Sequence, residues 1–316
     1  MALIQSFELT KTFGDQTAVD HVSLSVDRGE VVGFLGPNGA GKSTTMRMIT
    51  GFLDPDHGRS EICGHDVASD PLSAKQRLGY LPEGAPGYAD MTVGDFLSFV
   101  GTIRGLSGKQ LNNRLAEMVD RINLADTWNK PLETLSKGFK RRVGIAQALI
   151  HDPDVLILDE PTDGLDPNQK HEMRTLIRDI APNKAIVVST HILEEVEAIC
   201  SRAVIIAAGK VVADETPDAL IAAQAPPKAI RISIAAGNAD EAINKVRGAV
   251  NGHQIEVLGG TNGTTDLMVD PGAETLDPKD LLADLTRAGI SVEMVGRHRP
   301  SLEDVFRQIT QTQSPN

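Results

Sequence analysis

The chain is poor in aromatic residues, which make up 3% of its 316 positions. Its core must therefore be mostly aliphatic. Cysteine is scarce too: Cys63 and Cys200 stand alone, with no metal-ligand spacing between them. That argues against a disulfide framework and fits a reducing cytosol. Both thiols read as small buried apolar residues rather than reactive groups. No run of eighteen apolar residues occurs, so nothing is expected to span a bilayer. The opening MALIQSFELT lacks the charged start and long apolar segment of a signal peptide. Any membrane role must come through a partner. Positive charge is in deficit, with a net charge of -12, which argues against a broad nucleic-acid surface while leaving room for a local basic patch. What is present is ordinary for a soluble globular protein, 41% hydrophobic and 23% charged, and long enough for two domains.

The most informative stretch is Gly36-Pro37-Asn38-Gly39-Ala40-Gly41-Lys42-Ser43, followed by Thr44. It has the form G-x-x-x-x-G-K-[ST], after the apolar run Val31–Leu35 and before a segment without helix breakers. Glycines let the backbone curl so that successive N–H groups point inward at phosphate oxygens. The start of the following helix adds partial positive charge behind them. Lys42 is placed to reach the β and γ phosphates, and the Ser43 hydroxyl to ligate Mg²⁺.

A second signal is the aliphatic run Val155–Leu158, bounded by Pro153 and Pro161 and ending in Asp159-Glu160. It suits a strand buried on both faces, with its carboxylates emerging where ligands bind in an open α/β sheet. Asp159 is expected to hold Mg²⁺ through its water shell, and Glu160 to polarise a water for attack on the γ phosphate. A third signal is Leu135-Ser136-Lys137-Gly138-Phe139, ahead of a helical segment from Lys140 to Ile150. On its own it reads equally as a helix cap or as a phosphate-facing set of donors.

Taken in order, these motifs resemble the ABC-transporter ATPases, whose signature is LSGGQ. This chain keeps Leu135, Ser136 and Gly138 and departs at Lys137 and Phe139. The resemblance implies further roles. Phe13, in KTFG, matches the aromatic that stacks on adenine. Glu83, in GYLPE, occupies the place usually held by glutamine and is taken, with Ser43 and Asp159, as a metal-side residue. Gly164-Leu165-Asp166-Pro167 matches the loop that crosses to the opposite subunit, and Asp166 is counted with Ser136 and Gly138 among the nucleotide-binding residues. His191, after Ile186–Thr190, matches the histidine that contacts the γ phosphate. The resemblance covers Leu3 to about Ala225. It is strongest toward ATP-binding subunits of ABC-2-type exporters of the gliding-motility and multidrug kind, on GYLPE, LSKGFKRRVGIAQALI and STHILEEVEAIC.

The fold this implies is a P-loop NTPase, RecA-like α/β core with an antiparallel β subdomain and a helical subdomain at about 84–150. The residues support that layout independently. Residues 3–30 alternate apolar and polar with turns at Gly14-Asp15 and Arg28-Gly29. Thr92 and Asp95 form a capping-box pattern, and a second helix is expected from Lys109 to Ile122. A hairpin is expected around Ala208-Gly209-Lys210. Composition shifts at 222–228, which divides the chain into an ATP-binding domain, 1–225, and a C-terminal accessory domain, 226–316. The tail reads βαββαβ, a small α+β ferredoxin-like pattern, with a helix over 239–250, Asp277 as an N-cap and a last helix from Ser301. A tail that assists dimerisation and one that merely packs are both open.

The resemblance implies a mechanism. Two copies, or this chain and a paralogous ATPase, close head to tail over two Mg-ATP, with Lys42, Ser43 and Thr44 from one subunit and Ser136 and Gly138 from the other. Glu160 and His191 promote hydrolysis. An integral-membrane permease uses the motion for export, which puts the chain in the cytoplasm, peripheral on the inner face of the cell membrane. No nucleic-acid partner is expected, since the tail from 227 carries nine basic against twelve acidic residues. A soluble ABC ATPase acting on DNA, RNA or ribosomes is the competing class, and a nucleotide-dependent interaction protein with weak hydrolysis a third. The substrate is left open, as is whether Lys137 faces phosphate or solvent.

Overall fold

The computed structural model describes residues 2–84, 87–224, 229–236, 239–250, 253–260, 263–272, 276–297 and 301–311. The chain forms two compact units, Met1–Ala219 with Phe306–Asn316, and Leu220–Val305.

The first unit opens with an antiparallel hairpin of β1 (Ala2–Phe13) and β2 (Gln16–Asp27), turning at Gly14. In β2, Val22, Leu24 and Val26 are buried while Ser23 and Ser25 between them are exposed, the two-residue period of a sheet with one dry face. A second sheet is of the opposite kind. Its central strands β3 (Val31–Leu35), β7 (Val155–Asp159) and β8 (Ala185–Thr190) are buried at every residue. Continuous aliphatic runs are what a sheet covered on both faces requires. The spatial order is β10 (Lys210–Glu215), β9 (Arg202–Ala207), β3, β8, β7, β6 (Leu78–Leu81). All pairings are parallel except that of β10 with β9. β4 (His57–Ile62) pairs with β1 and with β5 (His65–Asp66), completing the antiparallel sheet.

Helices cover these sheets: α1 (Lys42–Ile49), α2 (Pro71–Arg77), α6 (Pro167–Ile180) and α7 (Leu193–Ile199) follow strands or loops of the core. Between β6 and β7 come α3 (Val93–Ile103), α4 (Gly108–Arg121) and α5 (Lys137–Leu149). Their apolar faces meet through Phe96, Leu97, Met118 and Val143 in one cluster with Leu156, Leu158 and Val188 of the sheet. The Thr92–Asp95 capping box is only half formed. Asp95 N–H donates to Thr92 Oγ1 at 3.1 Å, but the Asp95 carboxylate takes the Thr92 hydroxyl at 2.7 Å. Helix α5 begins three residues before the expected Lys140, because Ser136 caps it and Gly138 lies inside its first turn.

In the second unit, β11 (Ile230–Ala235), β12 (Gln254–Gly259), β13 (Thr264–Asp270) and β14 (Val292–Arg297) form an antiparallel sheet in the order β12-β13-β11-β14. Helix α9 (Ala239–Arg247) follows β11, and α10 (Pro278–Arg287) follows β13. This is the βαββαβ order with the strands at 4-1-3-2, as the tail pattern implied. Helix α9 ends before the expected Val250. Asp277 caps α10, accepting from Lys279 N–H at 2.8 Å, and Gly289 ends it at φ 77°. Helices α8 (Pro217–Gln224) and α11 (Leu302–Gln311) bracket this part of the sequence. The composition shift at 222–228 falls largely on 225–228, outside the described residues.

Candidate functional site

The C-terminal ends of β3, β8 and β7 lie side by side, so the loops that follow them open on one edge of the sheet. The loop after β3 curls tightly because three glycines allow it. A Cβ on Gly36 would stand 2.5 Å from the Ile206 carbonyl oxygen, and one on Gly41 2.4 Å from that of Ala18. Gly39 and Gly41 also have φ of 80° and 106°, where a side chain is strained. Helix α1 starts at Gly41 without a side-chain cap. The N–H groups of Gly39, Gly41, Lys42, Ser43 and Thr44 take no acceptor among the described residues. Lys42 is folded over this loop, its Nζ donating to the carbonyls of Gly36 at 2.7 Å and Pro37 at 3.1 Å. Burial pushes its proton affinity down, against the pull of Glu160, Asp159 and Glu83. Ala40 packs inward and is 3% exposed. Together Asn38, Gly39, Gly41, Lys42, Ser43 and Thr44 wall a cavity of about 330 Å³ that Ala18, Glu83 and Glu160 complete.

Opposite the loop, Asp159 ends β7 with 1% of its surface exposed, and its Oδ1 has no hydrogen-bond partner. An isolated buried carboxylate oxygen costs several kcal/mol, on the order of the penalties for unpaired buried ions, so this atom fits a cation. Ser43 lines the cavity beside Lys42, while no three His, Cys, Asp or Glu side chains converge among the described residues. A small divalent ion here would draw its remaining ligands from phosphate and water. Glu160, next in the chain, has φ 53°, a rare conformation for a residue with a side chain. Its N–H donates to the Ser189 carbonyl at 2.9 Å. Its Oε2 lies 2.7 Å from His191 Nδ1, on the loop after β8. Burial raises the proton affinity of Glu160, and His191 and Lys42 oppose that rise.

The other expected residues lie apart from this cavity. Phe13 ends β1, 52% exposed, with the Lys11 ammonium 5.9 Å over its ring. Ser136 accepts from Phe139 N–H at 3.4 Å as the cap of α5. The Gln169 side chain covers Gly138, where a Cβ would meet its Oε1 at 2.4 Å. Lys137 is largely exposed yet ion-paired. Its Nζ pairs with Asp163 Oδ2 at 2.8 Å and its stem lies over Gly164. Asp166 caps α6, accepting from Gln169 N–H at 2.9 Å.

Two charged residues at the centre went unnoticed in the sequence. Arg141, in α5, is 4% exposed and donates to the carbonyls of Pro82, Glu83 and Glu160. Glu195, in α7, is 1% exposed and accepts from the hydroxyls of Thr162 and Thr190, so it joins the loops bearing Glu160 and His191. A signal existed for each. Arg141 falls on the apolar face of its helix, three residues after Gly138 and four before Ile145, and Glu195 precedes buried Val196.

Comparison with known proteins places this geometry in company. The family described as ABC transporter matches residues 19–163. The chain is 39% identical over 224 residues to the probable multidrug ABC transporter ATP-binding protein YbhF of Escherichia coli (strain K12), covering 71% of this chain. It spans 39% of the length of that relative. It is 34% identical over 312 residues to the Nod factor export ATP-binding protein I of Ralstonia nicotianae, covering 96% of this chain and 92% of the relative. Among solved structures, an ATP-binding subunit of an ABC transporter superposes with a TM-score of 0.66 at 32% identity, over 70% of this chain and 92% of that one. The dimeric structure of MJ0796, a bacterial ABC transporter cassette, gives 0.63 at 25% identity, over 67% and 98%.

Proposed function

The chain belongs to the ABC transporter family of ATP-binding proteins, and from that premise we propose that it is the ATP-hydrolysing subunit of a membrane exporter. The observation that carries this reading is a glycine-walled cavity lined by Lys42, Ser43 and Glu160, with His191 bonded to Glu160 and the unpartnered Asp159 next to it in the chain. The free N–H groups of Gly39 and of Gly41 to Thr44, with the Lys42 ammonium, bind the phosphates of ATP. Ser43 and Asp159, with Glu83 beside them, would hold Mg²⁺, which when bound would neutralise charge on the phosphates. Glu160 takes the proton of the attacking water. Its raised proton affinity makes it a better base than an exposed carboxylate, and His191 keeps it aimed. Gly36, Pro37 and Ala40 shape the loop. Phe13 offers an exposed ring for adenine to stack on.

Ser136, Gly138 and Asp166 lie outside the cavity and act from a second copy, or from a paralogous chain, docked head to tail. The MJ0796 cassette is dimeric, and the same association is proposed here. Two shared sites make ATP the ligand that favours the closed dimer, because only that state makes both sets of contacts. The functional division follows residue 225, with 1–225 the ATP-binding part and 226–316 an accessory part.

The membrane partner is argued from a second feature. A groove of about 780 Å³ is lined by Phe52, Leu72 and Ile103, each more than 60% exposed, beside Arg47, Lys75 and Arg104. An apolar floor with a cationic rim fits a short amphipathic segment bearing acidic residues, supplied by a permease. No helix of the described residues is long and apolar enough to cross a membrane, so that permease is a separate chain or segment. The substrate class follows the relatives' names only as far as export of small organic molecules. The working position is the cytoplasmic face of the membrane. The test is hydrolysis of Mg-ATP by the purified chain. Glu160→Gln should lower turnover by about 10²-fold or more while ATP still binds. Normal turnover in that variant would remove Glu160 from the mechanism. Recovery of the chain from native membranes without a polytopic partner would remove the exporter.

A further inference from the structure

Arg141 is a buried cation that no step above uses. Among the described residues its guanidinium has no carboxylate hydrogen-bonded to it, and its Nε has no partner. It donates instead to three backbone carbonyls: Pro82 at 3.0 Å, Glu83 at 2.7 Å, and Glu160. Those carbonyls belong to two loops, with 76 residues of sequence between Glu83 and Glu160. Pro82 lines the cation-rimmed groove, whereas Glu83 and Glu160 line the phosphate-sized cavity. The arginine itself rides on α5, whose cap is Ser136. One side chain thus joins the groove, the cavity and the helix that begins at LSKGF.

The choice of partners is informative. Asp159, Glu160, Glu83 and Asp163 all act electrostatically on Arg141, yet none of their carboxylates is spent in a hydrogen bond with it. Glu160 keeps its carboxylate for His191, and Asp159 keeps Oδ1 free. What the guanidinium holds is the backbone. Glu160 sits at φ 53°, a conformation that persists only when surrounding contacts over-determine it. Two contacts do so here, the Glu160 N–H on the Ser189 carbonyl and Arg141 on the Glu160 carbonyl. A planar fork of five donors reaches several separate acceptors at once, which a lysine ammonium on a single point does less well.

We propose that Arg141 is a positioning residue for hydrolysis. It fixes the backbone of Glu160 and locks it to the Pro82–Glu83 loop, so that movement of α5 or of the groove reaches the catalytic carboxylate. The inference rests on the reading of Glu160 as the base. It does not make Arg141 a phosphate ligand, since all three of its bonds are to the chain's own carbonyls.

The test uses the full chain with Arg141→Met, Arg141→Lys and, as a control on the same helix, Arg142→Met. Arg142 bonds Glu172 and the Ile122 carbonyl and touches none of the three carbonyls above. Arg141→Met should lower kcat by about 10²-fold, the scale of a 1 Å misplacement, with KM for ATP near its original value. Hydrogen exchange should rise at 83–84 and 160–163 and stay unchanged at 39–44. Arg142→Met should change neither. Arg141→Lys, which keeps the charge, should fall between, and it serves as the measurement if the Met variant does not fold. Wild-type kcat in Arg141→Lys or Arg141→Met overturns the proposal, as does a loss of kcat with exchange raised uniformly. Glu160→Gln in parallel separates the two failures. If it is inactive while Arg141→Met is fully active, only the role of Arg141 falls. If it turns over normally, the underlying reading falls first.

Discussion

Two helices in the first unit begin with a glycine-bearing phosphate motif, and they begin differently. At α1 the loop is curled by Gly36, Gly39 and Gly41, the start has no side-chain cap, and a run of N–H groups faces an open cavity. At α5 the Ser136 hydroxyl is already used as a cap, Gln169 covers Gly138, and Lys137 is held on Asp163. The first start is ready for an anion, whereas the second is closed by the chain's own side chains. A site assembled from both needs the second uncovered as another copy arrives. The two starts therefore differ in how much of their binding geometry a single chain pays for in advance.

The same substitution at the two glycines gives the sharpest contrast. Gly41→Ala puts a Cβ 2.4 Å from a backbone oxygen at φ 106°, with nothing flexible to yield. It should cost about 1–3 kcal/mol of stability and abolish detectable nucleotide binding, read by thermal unfolding and by a fluorescent ATP analogue. Gly138→Ala meets only the end of the Gln169 side chain, which swings away, and alanine favours the helix. Its stability should stay within about 0.5 kcal/mol of the original, and equal losses at both glycines would erase the distinction.

The next effect concerns the cover on α5. Lys137→Ala removes a pair whose side chains are 67% and 46% exposed, so stability should move by less than about 1 kcal/mol. Association should respond more. In a Glu160→Gln background, the ATP-dependent dimer seen by sedimentation should form at lower protein concentration than with Lys137 in place. A weaker dimer would mean that Lys137 serves the partner's site and not the cover.

The smallest effects are those on stability. Ser136→Ala should cost about 0.5 kcal/mol, the low end for a lost cap, because its bond is 3.4 Å long and exposed. Glu160→Gln should raise the midpoint of unfolding slightly at neutral pH. A carboxyl whose folded proton affinity is raised stabilises the fold only while protonated, below its unfolded value, and that contribution is lost as pH rises through the folded one. At neutral pH the ionised Glu160 is thus a burden that the amide lifts. The gain should vanish in acid, and a gain that persists there would assign it to packing instead.

The parts legible in the sequence were those written in consecutive residues. Gly36 to Ser43, Val155 to Glu160 and Ile186 to His191 each carry strand, turn and chemistry within one short window, and the buried strands need aliphatic runs that stand out. The tail's βαββαβ order was legible through Asp277, Gly289 and Ser301, since caps and stops act over a few residues. Helix α5 starts three residues before the expected Lys140, because the Ser136 cap lets Lys137 and Gly138 join its first turn. The roles of Arg141 and Glu195 were not legible, although each stands on an apolar helix face, because their partners lie on other loops. A lone charge on a helix face looks like solvent-facing charge until those loops pack against it.

By itself, then, the sequence determined a parallel sheet with a glycine loop, two strand-end acids and a histidine, because backbone conformation and burial follow from neighbouring residues. Only the tertiary structure decided that Asp159 keeps an unpartnered oxygen, that Lys137 lies on Asp163, and that Arg141 joins three carbonyls. Those outcomes depend on which loops the sheet order brings together, and a hydrogen bond between distant loops leaves no periodicity in the chain that makes it.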